Sequence, residues 1–400
     1  MPFRVNRDDQ IPTSEIKPFG TFPVVDQGQA FLAGFTDESS KVVRDGLPVI
    51  VFGDHTRCFK FVDFPFALGA DGTKVVKADP ARFDAKFFYF ACLNLKLPSR
   101  GYNRHFKLLK ESTINFPVEL LEQRRIAGVL GLVQHAIAQQ ERLAELTAEL
   151  KQALMHKLFT EGTRGERQKA TEIGPVPESW EAEPLGACCD VQTGLAKGRR
   201  LNPEEALDVP YLRVANVQDG YLDLSEIKTV QVRERDLQRF GLRRGDVLMT
   251  EGGDLDKLGR GFIWDGQIEP CLHQNHVFAV RPHKDKLTSE YLAYLVQSPY
   301  AKAYFLSVAH KTTNLACINT SKLKRLPVLL PGHDEQHQIV ESLSTVDAKV
   351  RNHRKQAETL SQLFSTLLHK LLTAEIRVDS LDVAVLGIEA DEIEIEEALT

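Results

Sequence analysis

The sequence predicts a mixed α/β protein in which two globular domains alternate with two long helices, as a pseudo-twofold internal repeat. Segments 122–160 and 335–373 align without a gap at an offset of 213 residues and share 13 identities in 39 positions. Both have the composition and apolar spacing of long helices. The stretch before each of them has short β-type runs between turn residues. Repetition on this scale indicates the order domain, helix, domain, helix.

Length and composition limit the class of protein. A chain of 400 residues is long enough for two or more domains, and 42% hydrophobic residues is ordinary for a globular protein. No apolar run reaches the ~18 residues of a membrane span, and the N-terminus has no apolar signal core. The six cysteines are scattered without a CxxC pair. This pattern indicates reduced thiols in the cytoplasm rather than a disulfide frame or a zinc site.

Charge is distributed unevenly along the chain, although the net charge is only −5. Residues 375–400 hold nine Asp/Glu and one Arg, so residues 1–374 carry a net charge of +3. The stretches 85–110 and 300–333 are basic and contain no acidic residue, and each lies shortly before one of the repeated segments. Solvated loop charge explains any single lysine in them. Two such stretches in equivalent places favour contact with phosphate groups.

The repeated segments predict two coiled-coil helices, which we place at 117–162 and 332–375. Apolar residues recur at steps of four, three and four, the spacing of a coiled-coil seam. The seam positions are Ile126, Leu130, Val133 and Ile137 in the first helix, and Ile339, Leu343, Val346 and Val350 in the second. Near the ends, Leu150, Leu154 and Leu158 match Leu363, Leu367 and Leu371. Such stripes must be covered, and antiparallel pairing of the two helices is the simplest way to do so.

The length of these helices allows two distant surfaces to be read. At 1.5 Å per residue, such a helix is roughly 58 Å long, whereas one turn of B-DNA is ~34–36 Å. Two domains at opposite ends of the pair could therefore contact two DNA segments separated by unread base pairs. A generic coiled coil that only joins two domains is the alternative.

The remaining segments predict domains, a linker and a tail. We place the first domain at 1–116, a polar linker rich in Gly and Pro at 163–179, the second domain at 180–331 and an acidic tail at 376–400. In the second domain the β-type runs lie at 209–215, 245–250, 262–264 and 277–281, and one helix lies at 289–306. In the first domain, 45–54 predicts a strand and 87–97 a helix in the equivalent position.

Signatures of catalysis are absent from the sequence. It has no G-x-x-x-x-G-K-[ST] loop, no Asn/Asp-Pro-Pro-aromatic motif and no G-x-G-x-x-G motif between a strand and a helix. The glycines at 252, 253, 259 and 261 predict a backbone that closely approaches a phosphate or a neighbouring strand. His333 and His337 have metal-ligand spacing but no evident third ligand, so a capping or surface role is favoured. We therefore predict neither enzymatic activity nor a metal site.

Several motifs carry a resemblance to a known family. Leu326-Pro-Val-Leu-Leu-Pro331 precedes Glu335-Gln336-x-x-Ile339, and Phe116-Pro-Val with Glu122-Gln123-x-x-Ile126 echoes this order. The second domain adds the motifs Pro177-Glu-Ser-Trp180, Pro210-Tyr-Leu-Arg-Val-Ala-Asn216, Gly245-Asp-Val-Leu and Gln274-Asn-His. With its two-domain, two-helix layout, the chain resembles the specificity subunit of a type I restriction–modification system.

This resemblance implies two target-recognition domains that each read half of a split double-stranded DNA site, with paired helices that set the gap. It also implies docking of two methyltransferase subunits and, through them, of restriction/translocase subunits. The chain itself would be non-catalytic and without a cofactor, since S-adenosylmethionine and ATP would belong to the partners. The first domain, with 121 residues before Glu122, lacks the Pro-Glu-Ser-Trp opening. We expect either a shorter variant or an upstream start. A coiled-coil scaffold with two ligand-binding domains and no DNA role is the alternative.

Candidate DNA contacts follow from the chemistry of base recognition. Arg and Lys pair with guanine, and Asn and Gln pair with adenine. In the second domain the candidates are Lys197, Arg199, Arg200, Arg213, Asn216, Lys257, Arg260, Lys311, Thr312 and Asn314. In the first domain they are His55, Arg57, Arg100, Tyr102, Asn103 and Arg104. We expect a few of these to contact phosphates and fewer to contact bases.

Overall fold

The computed structural model describes residues 2–3, 5–70, 72–98, 101, 103–171, 174–196, 206–253, 258–311 and 316–381. The chain divides into two compact units. Unit 1 comprises Met1–Glu141 and Arg354–Thr400, and unit 2 comprises Arg142–His353. The predicted mixture of helix and sheet is confirmed. No helix among the described residues is long and apolar enough to cross a membrane.

Unit 1 contains two small sheets followed by helices. Its strands are β1 (Pro2–Phe3), β2 (Phe22–Val25), β3 (Gly34–Thr36), β4 (Val42–Val43), β5 (Val49–Gly53), β6 (Phe59–Val62), β7 (Phe66–Leu68) and β8 (Thr73–Val76). Its helices are α1 (Ala85–Leu93), α2 (Phe106–Glu111), the first half of α3 (Leu120–Glu161) and the second half of α9 (His333–Leu372).

The main sheet of unit 1 is antiparallel, with strand order β1-β8-β5-β6. Its central strand β5 is buried on both faces, as its continuous apolar run predicts. The second sheet has the order β3-β2-β7-β4, in which β2 pairs antiparallel with β3 and parallel with β7.

The helices of unit 1 pack around one apolar cluster. Phe87 and Phe90 of α1 share it with Leu130 near the start of α3 and with Leu367 and Leu371 near the end of α9. Because the start of one helix packs with the end of the other, the two helices run antiparallel within this unit. Part of the apolar stripe is therefore covered by α1 as well as by the partner helix.

Unit 2 is larger and has the same kinds of element. Its strands are β9 (Gln168–Thr171), β10 (Gly174–Pro177), β11 (Glu181–Pro184), β12 (Cys189–Thr193), β13 (Leu207–Leu212), β14 (Lys228–Val232), β15 (Asp246–Thr250), β16 (Gly252–Gly253), β17 (Gly261–Trp264), β18 (Leu272–His273), β19 (Val277–Pro282), β20 (His310–Lys311), β21 (Ala316–Cys317) and β22 (Pro327–Leu330). Its helices are α4 (Leu185–Cys188), α5 (Glu234–Phe240), α6 (Ser289–Gln297), α7 (Pro299–Val308), α8 (Thr320–Lys324), and the remaining halves of α3 and α9.

The main sheet of unit 2 is antiparallel, with strand order β12-β19-β15-β17. A second sheet, β14-β13-β18, has an antiparallel pair β13–β14 and a parallel pair β13–β18. Small sheets β10-β9, β11-β22 and β16-β21-β20 complete the unit. The segment 163–179, expected to be a linker, thus contains the β9–β10 hairpin.

Helices α3 and α9 also pair antiparallel within unit 2. Phe159 near the end of α3 shares a buried cluster with Ile339 and Leu343 near the start of α9. Lys151 Nζ of α3 lies 2.8 Å from Asp347 Oδ1 of α9. Both side chains are mostly buried, so this ion pair is less screened than a surface pair.

The remaining seam positions are less uniform than the spacing predicts. Val350 is buried, whereas Ile137 and Val346 are half-buried. Leu150 is 58% exposed, so the stripe predicted through Leu150, Leu154 and Leu158 is not covered throughout. Ile126 and Val133 lie in the same buried cluster as Leu130.

Two predicted helices have different bounds in the structure. The helix expected at 289–306 is divided at Ser298 into α6 and α7. Pro299 has no N–H to continue the first helix, and the Ser298 hydroxyl caps the second by accepting from Ala301 N. Helix α1 ends at Leu93, earlier than the expected residue 97.

Candidate nucleic-acid interface

One edge of the main sheet of unit 2 collects several connecting segments. The register places the end of β12 and the end of β15 beside the start of β19, with Thr193 opposite Phe278 and Thr250 opposite Val277. The Leu195–Gln274 bridge and the β16-β21-β20 sheet continue from this edge. We call residues 193–196, 250–253, 274–276, 310–311 and 316–317 the loop edge of unit 2.

Backbone hydrogen bonds hold the loop edge of unit 2 together. Glu251 N donates to His276 O at 2.9 Å, and Glu251 O accepts from Ile318 N at 2.8 Å. Asn275 N donates to Leu195 O at 3.1 Å. Glu251 therefore joins the turn at 274–276 to the segment that follows β21. The same turn is joined to the segment that follows β12 through Asn275 and Leu195.

The structure describes four of the ten candidates predicted for the second domain. Lys197, Arg199, Arg200, Lys257, Thr312 and Asn314 lie outside the described residues. The described residues that flank their segments include Ala196, Gly253, Lys311 and Ala316, all of which belong to the loop edge of unit 2. Three segments that are far apart in sequence thus begin or end at one place.

Arg260 lies next to this edge. Its backbone carbonyl accepts from Thr250 N at 2.9 Å, and its Nη1 donates to Gln218 Oε1 at 2.7 Å. The guanidinium is half-buried and keeps further donors that this bond does not use.

Arg213 and Asn216 instead build a turn. Asn216 is 3% exposed, and its amide donates to the carbonyls of Asp223 (2.8 Å) and Glu226 (3.0 Å). Its Oδ1 accepts from Arg213 N at 2.8 Å. Arg213 Nη2 lies 3.6 Å from Glu226 Oε1. In this conformation the Asn216 amide has no exposed group to offer a base, contrary to the sequence expectation.

The glycines of this edge allow neighbouring backbone segments to approach closely, because they carry no Cβ atom. A Cβ atom on Gly252 would lie 2.6 Å from Ala316 O, and one on Gly194 would lie 2.1 Å from His273 O. Both distances are far too short for any side chain. Of the two interpretations left open for the glycine-rich loop, a neighbouring strand explains Gly252.

His273 lies beneath the edge and is fully buried. Its Nδ1 is 2.7 Å from Val277 O, across the turn that carries Asn275 and His276. Burial lowers the pKa of His273 to about 4, so the imidazole is neutral near pH 7 and donates from Nδ1 to the carbonyl. The side chain fixes the base of the turn.

Unit 1 has a loop edge of similar construction, formed by the described residues 53–58, 69–70, 72–73, 97–98, 101 and 103–105. Asp54 N donates to Gly72 O at 2.7 Å, and Asp54 Oδ1 accepts from the backbone N–H groups of His105 and Phe106 at 2.7 Å each. Arg57 Nη1 donates to Leu97 O at 2.9 Å. Both ends of 97–105 are therefore anchored on the turn after β5.

The structure brings together the described candidates of the first domain. His55 and Arg57 lie in the turn after β5 and are half-buried. Asn103 and Arg104 lie on the anchored segment and are exposed. Arg100 and Tyr102 of the same segment lie outside the described residues.

A cavity of about 570 Å³ adjoins the loop edge of unit 1 and is lined by residues that include Gln29, Arg57, Cys58, Lys60 and Leu97. Lys60 is 4% exposed, and its Nζ donates to Asp26 O at 2.8 Å. Burial lowers the pKa of Lys60, and the adjacent Asp26 carboxylate partly opposes this shift. Sequence reasoning missed this lysine, because an isolated Lys in a β-type run is typical of a solvent-exposed position.

The same pairing pattern builds both loop edges. In the main sheet of unit 1, the central strand β5 pairs with β6 and β8, and in the main sheet of unit 2, the central strand β15 pairs with β17 and β19. Strand β8 also pairs with β1, and strand β19 also pairs with β12. In the second sheet of unit 1, β2 pairs antiparallel with β3 and parallel with β7. In the second sheet of unit 2, β13 pairs antiparallel with β14 and parallel with β18.

No metal centre is found among the described residues, where no group of three or more His, Cys, Asp or Glu side chains converges. His333 Nε2 lies 3.1 Å from Asp285 O, which gives this residue a structural contact at the start of α9.

Comparison with known proteins identifies the second domain. Residues 177–362 match the family model for the type I restriction modification DNA specificity domain. This region is thus similar to a type I DNA specificity domain. The match confirms the resemblance to specificity subunits that the sequence motifs carry.

Relatives with the same description include the type I restriction enzyme MjaVIII specificity subunit of Methanocaldococcus jannaschii, 27% identical over 69% of this chain and 65% of the relative. The EcoKI specificity subunit of Escherichia coli K12 is 25% identical over 67% of this chain and 60% of the relative. The chain spans about half to two thirds of the length of the first curated relatives it matches, 49% to 65%.

Solved structures agree on the fold. The crystal structure of a type I restriction-modification S subunit from M. genitalium is 18% identical, with a TM-score of 0.54 over 90% of each chain. A second structure, from work on assembly of the type I system, is 19% identical, with a TM-score of 0.52 over 89% of this chain and 92% of the other. The mixed fold with long helices is thus shared.

Proposed function

We propose that this chain is the DNA sequence-specificity subunit of a type I restriction–modification complex and is itself non-catalytic. The observation that carries the proposal is the specificity-domain match over 177–362. This range contains the loop edge of unit 2 and all ten candidate DNA contacts of the second domain. The MjaVIII and EcoKI relatives are likewise described as specificity subunits.

The target is a bipartite double-stranded DNA site, with one half read at the loop edge of each unit. The shared pairing pattern of the two main sheets supports a pseudo-twofold internal repeat of two target-recognition domains. We keep the predicted boundaries, 1–116 and 180–331, for these domains, and 117–162 and 332–375 for the helices. The antiparallel contacts of α3 and α9 inside each unit suit a role in setting the gap between the half-sites.

The partners are methyltransferase subunits, which we propose to number two, and restriction/translocase subunits that join through them. S-adenosylmethionine and ATP are then used by those partners rather than by this chain. The complex acts in the cytoplasm, where the host DNA lies. The scaffold alternative has no observation in its favour.

DNA binding by the assembled complex tests this proposal. We would measure filter binding of a duplex at low salt with single Arg199→Glu and Arg200→Glu variants and with the double variant. Reversing a charge that contacts phosphate weakens binding and reduces its dependence on salt concentration. Lys284→Glu is the matched control, because Lys284 follows the opposite end of β19 and is exposed. Equal affinity of the wild type and all four variants would contradict a DNA contact at Arg199 and Arg200.

A further inference from the structure

The loop edge of unit 2 carries one acidic side chain among its described residues, Glu251. Its carboxylate is 28% exposed and lies 2.5 Å from Nδ1 of His276, which is 54% exposed. His276 Nε2 lies 3.4 Å from Asn275 Nδ2. The pair lies on the loop edge of unit 2, next to Arg260, whose backbone carbonyl accepts from Thr250 N.

The backbone at Glu251 is held from two sides, by the bonds to His276 O and from Ile318 N. A Cβ atom on neighbouring Gly252 would lie 2.6 Å from Ala316 O, so the two backbones approach closely here. Since His276 occupies Oε2, Oε1 is the oxygen with no hydrogen-bond partner among the described residues. The acceptor is therefore held through its backbone and through His276, at a partly exposed position.

A carboxylate is an unfavourable choice on a surface that faces phosphates, because like charges repel. It is favourable where it accepts a hydrogen bond from a donor. On the major-groove edges of base pairs the donors are the exocyclic amino groups, N4 of cytosine and N6 of adenine, and Glu accepts from cytosine N4 in known interfaces. The charge of Glu251 therefore points to the base edge rather than to the backbone of DNA.

We propose that Glu251, oriented by His276, accepts a hydrogen bond from an exocyclic amino group of one base in the half-site read by the second domain. Glu251 is then a specificity-determining residue and His276 a positioning residue. This inference rests on the proposed function and names one contact within it.

The first test maps the methylated motif in cells that express the chain with its modification subunits, comparing wild type with Glu251→Ala. One position in one half-site should become degenerate, while the other half and the gap stay unchanged. His276→Ala should weaken selectivity at the same position. Glu290→Ala, an exposed glutamate on α6, is the matched control and should leave the motif unchanged.

The second test uses the wild-type complex and does not depend on the folding of a variant. The base at the affected position is replaced by an analogue without the amino group, 2-pyrimidinone for cytosine or purine for adenine. Wild-type binding should weaken roughly 10- to 100-fold for the one analogue that removes the contacted group. Glu251→Ala should be insensitive to that replacement.

An unchanged motif with Glu251→Ala, or uniform loss of methylation without a change of motif, would overturn the inference. So would wild-type binding that is indifferent to both analogues. If the wild-type chain directs no methylation at all, the proposed function fails first, and the inference falls with it. These outcomes separate the failure of one contact from the failure of the whole account.

Discussion

Gln123 and Gln336 make equivalent sets of three hydrogen bonds, each inside its own unit. Gln336 Oε1 accepts from Thr288 N at 3.0 Å, and its Nε2 donates to the carbonyls of Lys286 (2.9 Å) and Pro331 (3.0 Å). Gln123 Oε1 accepts from the backbone N–H of a helix-capping residue, Asp84, at 2.9 Å.

Gln123 Nε2 donates to the carbonyls of Arg82 (2.9 Å) and Pro117 (2.7 Å). Both glutamines are fully buried. In each unit the amide therefore ties the start of a long helix to the residue that caps a domain helix, α1 or α6. The repeated Glu-Gln motif fixes each long helix to its domain.

Replacing Gln336 by leucine tests this role. The Gln336→Leu variant leaves one buried N–H and two carbonyls without hydrogen-bond partners. Each such unsatisfied group lowers the stability of the fold by about 1–3 kcal/mol. We expect the free energy of unfolding to fall by at least about 3 kcal/mol, measured as the denaturant transition of unit 2. Gln338→Leu is the control, since Gln338 is exposed and accepts one bond, from Thr163 Oγ1. Equal effects of the two substitutions would refute the role.

The fold was predictable where local chemistry decides it. The strands at 245–250 and 277–281 follow from apolar runs bounded by turns, and both long helices follow from composition and spacing. The break at Ser298 was missed because Tyr291, Leu292 and Leu295 continue the helical pattern up to it. The exposure of Leu150 could not be predicted, because spacing identifies a stripe but not the neighbour that covers each position.

The candidate site was predictable in part. The basic, acid-free stretch 300–333 includes residues 310–311 and 316–317 of the loop edge of unit 2, and its composition could be read locally. The buried role of Asn216 was missed, since an Asn after a strand is typical of both base contacts and turns. Glu251 and His276 could not be found, because they are 25 residues apart and only β-sheet register brings them into contact.

Acid should destabilise unit 2 through His273. An unfolded histidine takes up its proton near pH 6.5, whereas the pKa of His273 in the fold is about 4. The unfolded state therefore binds more protons between these values, and stability falls as the pH drops from about 6.5 to 4, by up to roughly 3 kcal/mol.

This loss is measured by comparing the unfolding free energies of wild type and His273→Leu from about pH 7.5 down to about pH 4. The variant should have a flatter pH profile than wild type. His310→Leu removes an exposed histidine and is the control. A wild-type profile that His273→Leu does not alter would contradict the assignment.

DNA should protect Cys317 from alkylation. Cys317 is exposed at the loop edge of unit 2, whereas burial raises the pKa of Cys92 and of Cys271 to about 12 and keeps their thiols unreactive. In a Cys58→Ser background, the assembled complex should react first at Cys317, and excess target duplex should slow this reaction several-fold.

The control for that experiment is a cysteine at the opposite end of the sheet. The Lys284→Cys substitution places a thiol beyond the end of β19, roughly 20 Å along the strand from the loop edge. The alkylation rate of this introduced thiol should not change when DNA is added. Equal protection of the introduced thiol and of Cys317 would indicate nonspecific coverage rather than an interface at this edge.

The central claim is that this chain determines which DNA sequence its partners modify. A genome-wide map of N6-methyladenine in cells with the modification subunits, with and without this chain, tests it most directly. We expect a motif of two specific halves separated by a fixed gap, present only with the chain. A motif that persists without the chain, or no motif in its presence, would show that this chain does not determine the sequence.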